Sequence, residues 1–276
     1  MPGRVVAAGS PIKVCVTNLI CAPATTIIGS SELTASPATN IAKPGRPFLP
    51  WRTAAGGSQN VVIDFGSTKT ITGLWLVHTN FATVTIQGNA TDSWGAPTFA
   101  QTFTITRTPW NFRYNLSRPL VGFSFRFMRI LIPSQTPLDG TSTYLLGGVY
   151  AGVTEVIPQG FRFEVDITTI MPAIDVEQQA GAWSQRLVMG EPLVSFSATR
   201  SARYTRLTPG YQDDLKLWLD LARRIRDNDI FAIALSTVDT SQGFVVRSIN
   251  QNHWKWTMRT LLRSDSMWEF KEVTGP

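Results

Sequence analysis

The chain is poor in the residue types with which most enzymes work. It has only two histidines, His78 and His253, and neither lies in a metal motif such as H-E-x-x-H. No G-x-S-x-G elbow, P-loop or dinucleotide fingerprint is present. Both histidines sit beside apolar residues in strand-like runs, the setting of structural imidazoles. The acidic pair Asp213-Asp214 falls in the first turn of an expected helix, where the positive end of the helix dipole accounts for it. A glycosidase needs two carboxylates facing each other across a cleft, and no spacing here marks such a pair. These absences argue against an enzyme.

Cysteine is equally scarce. Cys15 and Cys21 are the only two, with no metal-ligand spacing around them, and they are too few to staple a fold. They could close a small hairpin, but two buried thiols fit the pattern better. Charged residues make up 16% of the chain, with 25 Lys and Arg against 19 Asp and Glu, for a net charge of +6. The cations are scattered. Their densest cluster, "ARRIR" (222–226), ends an expected helix, where cations complement the dipole, so nucleic acid is not an expected partner. No apolar window approaches the length of a spanning helix. Gly9, Ser10, Pro11 and Lys13 interrupt the first apolar run, which makes a poor signal peptide. The expectation is a soluble protein made in a cytoplasm, with no membrane insertion.

What the sequence does have is β-forming material. Hydrophobic residues reach 43% and aromatic residues 11%, with 21 Gly and 17 Pro to punctuate them. Runs rich in β-branched and aromatic residues lie at 60–66 ("NVVIDFG"), 71–79 ("ITGLWLVHT"), 82–89 ("ATVTIQGN") and 98–106 ("TFAQTFTIT"). In "FSFRFMRILI" (123–132), Phe123, Phe125 and Phe127 share one face, while Met128, Ile130 and Ile132 share the other. That switch of phase implies a bulge or a strand covered on both sides. No amphipathic helix is evident before residue 150, so the first half reads as a β-sandwich.

Near "VIPQG" (156–160) the pattern changes. Strands are expected at 161–168 and 192–207, and again at 229–236, 243–249, 253–262 and 267–273. Between them, residues 209–227 form one amphipathic helix. Thr208 caps it, Pro209 suits its first turn, and Tyr211, Leu215, Trp218, Leu219, Ala222 and Ile225 make its apolar face. The fold class read from these runs is mainly β: a sandwich over 1–152, then an α+β domain over 153–276 with a sheet and one packed helix.

The order of the runs "SELTASPATNIAKPGRPFLPWRT", "NVVIDFGSTKTITGLWLV", "ATVTIQGNATDSWG", "FRFMRILI" and "YLLGGVYAG" resembles discoidin-type (F5/8 type C), galactose-binding-like jelly-roll domains. The closing "LLGGVYAG" is similar to a bacteriophage variant of that fold. This resemblance implies a structural protein of a phage tail tip or baseplate, a distal or minor tail protein of the virion. Its partners would be copies of itself in a ring and the neighbouring tube, hub and tape-measure proteins. Residues of the ring interface would include Arg200, Arg203, Arg206 and Arg247, since arginine pairs well at protein interfaces. The alternative is a carbohydrate-binding module contacting a glycan of the bacterial envelope, with Phe81, Trp94, Trp110 and Asn111 in expected loops as its candidates. A sugar's C–H face stacks on a ring while its hydroxyls need directed partners. Discoidin-like domains are described as holding calcium near an acidic loop. Here that loop reads Ala42-Lys43-Pro44-Gly45-Arg46, with cations where a hard ion wants carboxylates. No cofactor is therefore expected. Asp92 and Asp139 are the remaining oxygen donors should calcium bind. Arg126 and Arg129 are expected to make structural pairs at the sheet rim, and Gly147 and Gly148 to allow close sheet packing or a bulge.

Overall fold

Alternating apolar and polar residues over 59–65 and 128–132 demand one buried and one open sheet face, and the chain builds them. A computed structural model describes residues 12–43, 49–107, 114–157, 162–170, 173–177, 184–188, 193–203, 223, 230–234, 243–248, 255–260 and 263–272. Its first sheet has the order β2 (Thr26–Gly29), β4 (Gln59–Thr70), β10 (Ser124–Ile132), β6 (Thr83–Asn89), β7 (Phe99–Thr104). The second has the order β3 (Trp51–Arg52), β11 (Leu145–Gly152), β5 (Gly73–Thr79), β9 (Tyr114–Pro119), β8 (Thr106–Arg107). The pairings within both are antiparallel. Val61, Ile63 and Phe65 of β4 and Met128, Ile130 and Ile132 of β10 face Leu74 and Leu76 of β5 and Leu146, Val149 and Ala151 of β11 across one core. This is a β-sandwich, and the molecule is mainly β.

The phase switch in β10 is a bulge. Its register against β4 slips between Phe125 and Phe127, where β4 bends through Gly66 at φ +73°. Above the slip Phe123 packs inward; below it Met128, Ile130 and Ile132 do, and Phe127 is left on the outer face.

A third sheet packs on the sandwich. It runs β12 (Glu155–Ile157), β1 (Ile12–Cys15), β17 (Ile230–Ala234), β18 (Gly243–Ser248), β20 (Arg263–Glu272), β16 (Leu193–Arg203), β13 (Arg162–Ile170), and β19 (Lys255–Thr260) also pairs with β20. A hairpin of β14 (Ala173–Glu177) and β15 (Ser184–Val188) pairs separately. Strand β1 precedes the sandwich in sequence yet lies in this sheet, bonded to β12 on one side and β17 on the other. The sandwich is thus an excursion between two neighbouring antiparallel strands.

The third sheet covers the outer face of the sheet that holds β5 and β11. Trp75, Val77 and Tyr150 point out of the sandwich and pack on Cys15, Ala232, Ala234 and Val245. Trp75 Nε1 donates to the Ile233 carbonyl at 3.2 Å, and the Tyr150 hydroxyl donates to the Val16 carbonyl at 2.6 Å. The two rings meet edge to face at 6.4 Å. Burying a ring of this size stabilises by roughly 4 kcal/mol. At Gly243 a Cβ would lie 2.1 Å from Ser117 Cβ, so only glycine lets β18 come this close to β9. These contacts explain "LLGGVYAG": every residue of β11 is buried, because both of its faces are covered. Its pairing with β5 runs without a slip, so Gly147 and Gly148 mark no bulge in that pairing.

Both cysteines are free. Cys15 is buried, and burial raises its pKa to about 12. Cys21, expected to be buried, is instead exposed, because it sits in a surface 3-10 turn where its thiol donates to the Ala42 carbonyl at 2.8 Å. The expected strands of the second half appear at β13, β16, β17, β18, β19 and β20. The expected helix at 209–227 and His253 lie outside the described residues apart from Arg223.

Candidate functional site

Two loop regions of the sandwich hold clusters of hydrogen-bonded polar side chains. The first follows β10, over 133–143, and is the proline-broken stretch "PSQTPLDGTST". Gln135 Oε1 accepts from the backbone N–H groups of Ala82 and Thr83, each at 2.9 Å, and its Nε2 donates to the Thr83 carbonyl at 2.7 Å. The buried Asn80 donates to Asp139 Oδ2 at 3.0 Å and to the Thr143 carbonyl at 2.9 Å, and accepts from the Leu145 N–H at 2.7 Å. Asp139 Oδ1 accepts from the Thr141 hydroxyl at 2.7 Å and its N–H at 3.1 Å. Burial alone would raise the Asp139 pKa; the hydrogen bonds from Thr141 and Asn80 outweigh it and hold the carboxyl below its ordinary value. Both Asp139 oxygens are spent on holding the loop. Among the described residues no group of three or more His, Cys, Asp or Glu is placed to hold a metal ion.

Phe81, a candidate for stacking on a sugar, belongs to this region and offers no ring to solvent. It is 0% exposed, packed edge to face on Tyr144 at 6.3 Å. The chain reads as a loop there because β5 ends at Thr79, but the side chain turns inward to cap the core. His78 just before it has φ +56° at a register slip between β5 and β9, and its N–H donates to Asn115 Oδ1 at 2.8 Å. It is a bulge residue in a strand.

The second region is the β6–β7 connection, residues 90–98. Asn89 ties it together: Oδ1 accepts from the Ala90 N–H at 2.9 Å and the Thr98 hydroxyl at 3.1 Å, while Nδ2 donates to the Ser93 carbonyl at 2.6 Å. This fold of the loop lays Trp94 against the outer face of β10. Its indole N–H donates to Asp92 Oδ1 at 2.6 Å, and the Arg129 guanidinium lies over the ring 4.7 Å from its centroid. Arg129 Nε in turn donates to Gln87 Oε1 at 2.5 Å. Burial lowers the Arg129 pKa from its ordinary value and the Asp92 carboxylate opposes that shift. Trp51 and Trp75 are wholly buried, whereas Trp94 keeps part of its ring in solvent. The result is an indole held on two sides, by a carboxylate at its N–H edge and by a guanidinium that Gln87 in turn anchors. Cation–π contacts of this kind contribute about 0.5–1 kcal/mol at exposed sites, a modest bias toward this ring position.

Of the two arginines in β10, Arg126 makes the expected structural pair. Nε and Nη2 donate to the two oxygens of Asp64, both at 2.8 Å, and the guanidinium also covers Phe127 at 4.8 Å. That hydrogen-bonded pair holds the Asp64 carboxyl below its ordinary pKa. Arg129 departs from the expected rim pair, since its contacts are Gln87 and Trp94. Trp110, Asn111 and Arg206 lie outside the described residues. Arg200 sits in β16 opposite Phe163 and Ser266, Arg203 sits opposite Arg263, and Arg247 is exposed on β18 opposite Ile230 and Lys271. The structure thus brings Trp94 together with Asp92, Gln87 and Arg129, and separates it from Phe81. The signal for Arg129 was its place, two residues after Phe127 on an outward face.

No family model matches the chain, and no curated protein matches it. Solved structures similar to it include sugar-binding modules and a Ruminococcus gnavus GH29 fucosidase, the latter 14% identical over 50% of this chain and 27% of that one, with a TM-score of 0.39. The lectin domain of lectinolysin, complexed with Lewis B antigen, is 13% identical over 49% of this chain and 96% of that one, with a TM-score of 0.38. A Streptococcus pneumoniae fucose-binding module, SpX-3, is 15% identical over 50% and 98%, with a TM-score of 0.39. Chitosan-binding module 1 from a Paenibacillus chitosanase/glucanase is 21% identical over 50% and 99%, with a TM-score of 0.37.

Proposed function

We propose that the protein is a carbohydrate-binding protein, not an enzyme, and that its sandwich holds a glycan on the Trp94 platform. The observation that carries this reading is the half-buried Trp94 indole, hydrogen-bonded to Asp92 and backed by Arg129, which Gln87 holds in turn. A pyranose presents an apolar C–H face and a rim of hydroxyls, and this cluster offers a ring for the first and the Asp92 carboxylate at its edge for the second. Arg129 covers one ring face, so the sugar takes the other. Asp92, at the N–H edge of the ring, accepts from the sugar's hydroxyls. The test is a glycan array probed with the intact chain and with Trp94→Ala. Retention of a defined glycan set that Trp94→Ala abolishes is the expected result. Equal retention by the variant, or none by either, overturns the reading.

A second reading is a structural subunit of a bacteriophage tail tip, made in the host cytoplasm and carried in the virion beside other tail proteins. The end strands of the third sheet favour it. Among the described residues β12 and β13 each pair on one side only, and a strand edge is a template for another chain. Light scattering of the purified chain, and immunolabelling of virions, test this; a monomer found in no particle rules it out.

A further inference from the structure

The two sheets of the sandwich end in four edge strands, and β7 is the longest, with six residues against four in β2 and two each in β3 and β8. An open edge invites another strand, and proteins guard theirs with charge, proline or a bulge. None of these guards β7. Residues 98–106, "TFAQTFTIT", hold no charged residue, no proline and no glycine, and the register against β6 runs from Phe99 to Thr104 without a slip. One bond shows which way the backbone groups point. The Ile105 N–H donates to the Ala82 carbonyl at 2.8 Å, so by alternation Ile105, Phe103, Gln101 and Phe99 exchange bonds with the β6 side. The residues between them turn their N–H and C=O groups the other way. Those of Ala100, Thr102 and Thr104 therefore point out of the edge, and among the described residues no other backbone bond reaches them. Ala100, Thr102 and Thr104 are exposed, and so is Gln101 on the opposite side of the pleat.

We propose that β7 pairs antiparallel with β7 of a second copy of this chain, joining two sandwiches through one continuous sheet. The strand is complementary to itself. A two-fold axis at Thr102 sets that residue opposite its mate and Ala100 opposite the partner's Thr104. These are the residues with open backbone groups, so each pair exchanges both of its bonds. The side chains that meet are threonine and alanine on one face, and Phe103 with Gln101 and Phe99 with Ile105 on the other, so no charge opposes another. The axis of such a pair stands normal to the sheet, and both open faces therefore look the same way, each with its Trp94. Trp94 lies against β10, two strands in from β7, which puts the two β10 strands five strand spacings apart, roughly 25 Å. The dimer is bivalent toward a glycan-bearing surface. The pairing stands on the β7 edge alone, and only the bivalence rests on the Trp94 reading.

The test is sedimentation velocity of the full chain over a concentration series, with amide hydrogen exchange at its two ends. Wild type should pass from monomer to dimer, and the amides of Ala100, Thr102 and Thr104 should slow as it does. Thr102→Lys and Thr102→Glu each set like charges against one another across the axis and should leave monomers. Their equimolar mixture puts opposite charges in the same register and should restore the dimer, which misfolded chains could not do. On a surface coated with the glycans the array retains, either charge variant alone should be held on the order of 100-fold less firmly than wild type. Trp94→Ala should dimerise as wild type does. Dimers that the charge pair controls, with no glycan retained by any form, support the β7 pairing and sink the sugar reading. A wild-type monomer at every concentration, or a dimer that survives in both charge variants, overturns the proposal.

Discussion

The two outer faces of the sandwich meet different surroundings. On the β5–β11 side, Trp75, Val77 and Tyr150 stand where a two-layer protein would put polar residues, and a third sheet covers them. On the β4–β10–β6 side, the corresponding positions hold the Asp64–Arg126 pair, Gln87, Arg129 and the Thr85–Thr102 hydroxyl contact at 2.8 Å. Even Ile28, on the edge strand of that side, is 68% exposed. Tryptophan on the covered face is structural; on the open face it is available to a ligand.

Trp75→Ala should break this contrast most severely. It removes a fully buried ring and its bond to Ile233, so a loss of about 3–5 kcal/mol in denaturant unfolding is expected. Gly243→Val comes next. Its side chain would drive into Ser117 and Trp75, and a cost of about 1–3 kcal/mol is expected by the same measurement. Trp94→Ala should change stability by less than about 1 kcal/mol while abolishing glycan retention. A destabilisation by Trp94→Ala as large as that of Trp75→Ala would erase the distinction between the faces. The smallest effect concerns acid. The folded pKa values of Asp64 and Asp139 are depressed, so their contribution is complete above the unfolded aspartate value, about 4, and fades as pH falls through the folded values. Arg126→Gln relieves the depression at Asp64. Its Tm should therefore fall slightly near neutral pH and converge on wild type in strong acid; a constant difference across the titration would show that the pair has no electrostatic role.

Strands such as β4, and β10 over 128–132, were legible because they have one open and one buried face, and period-two alternation records that. The β10 bulge was half legible: the change of phase between Phe125 and Met128 meant either a bulge or a strand covered on both sides, and the register slip against β4 decides for the bulge. The third layer left its mark in "GLWLVHT", where Leu74 and Leu76 point one way and Trp75 and Val77 the other, all apolar. A strand apolar on both faces is covered on both, but a run of seven residues reads equally as a well-packed sandwich strand. The placement of β1 had no local signal at all. Its partners in β17 are more than 200 residues away in sequence, and edge-to-edge pairing is backbone chemistry that side chains record poorly. Phe81 misled for the opposite reason: a loop position suggests exposure, while its core contact with Tyr144 depends on how the 133–143 loop closes.

The pairing of Val14 with Glu155 brings the chain back beside its own point of departure after some 140 residues. The sandwich is therefore mounted as a cassette on a hairpin stem. Another module with neighbouring ends, or a plain tight turn, could occupy the same mount with the strand order of the host sheet intact, leaving the Trp75 side as the main surface to be refitted.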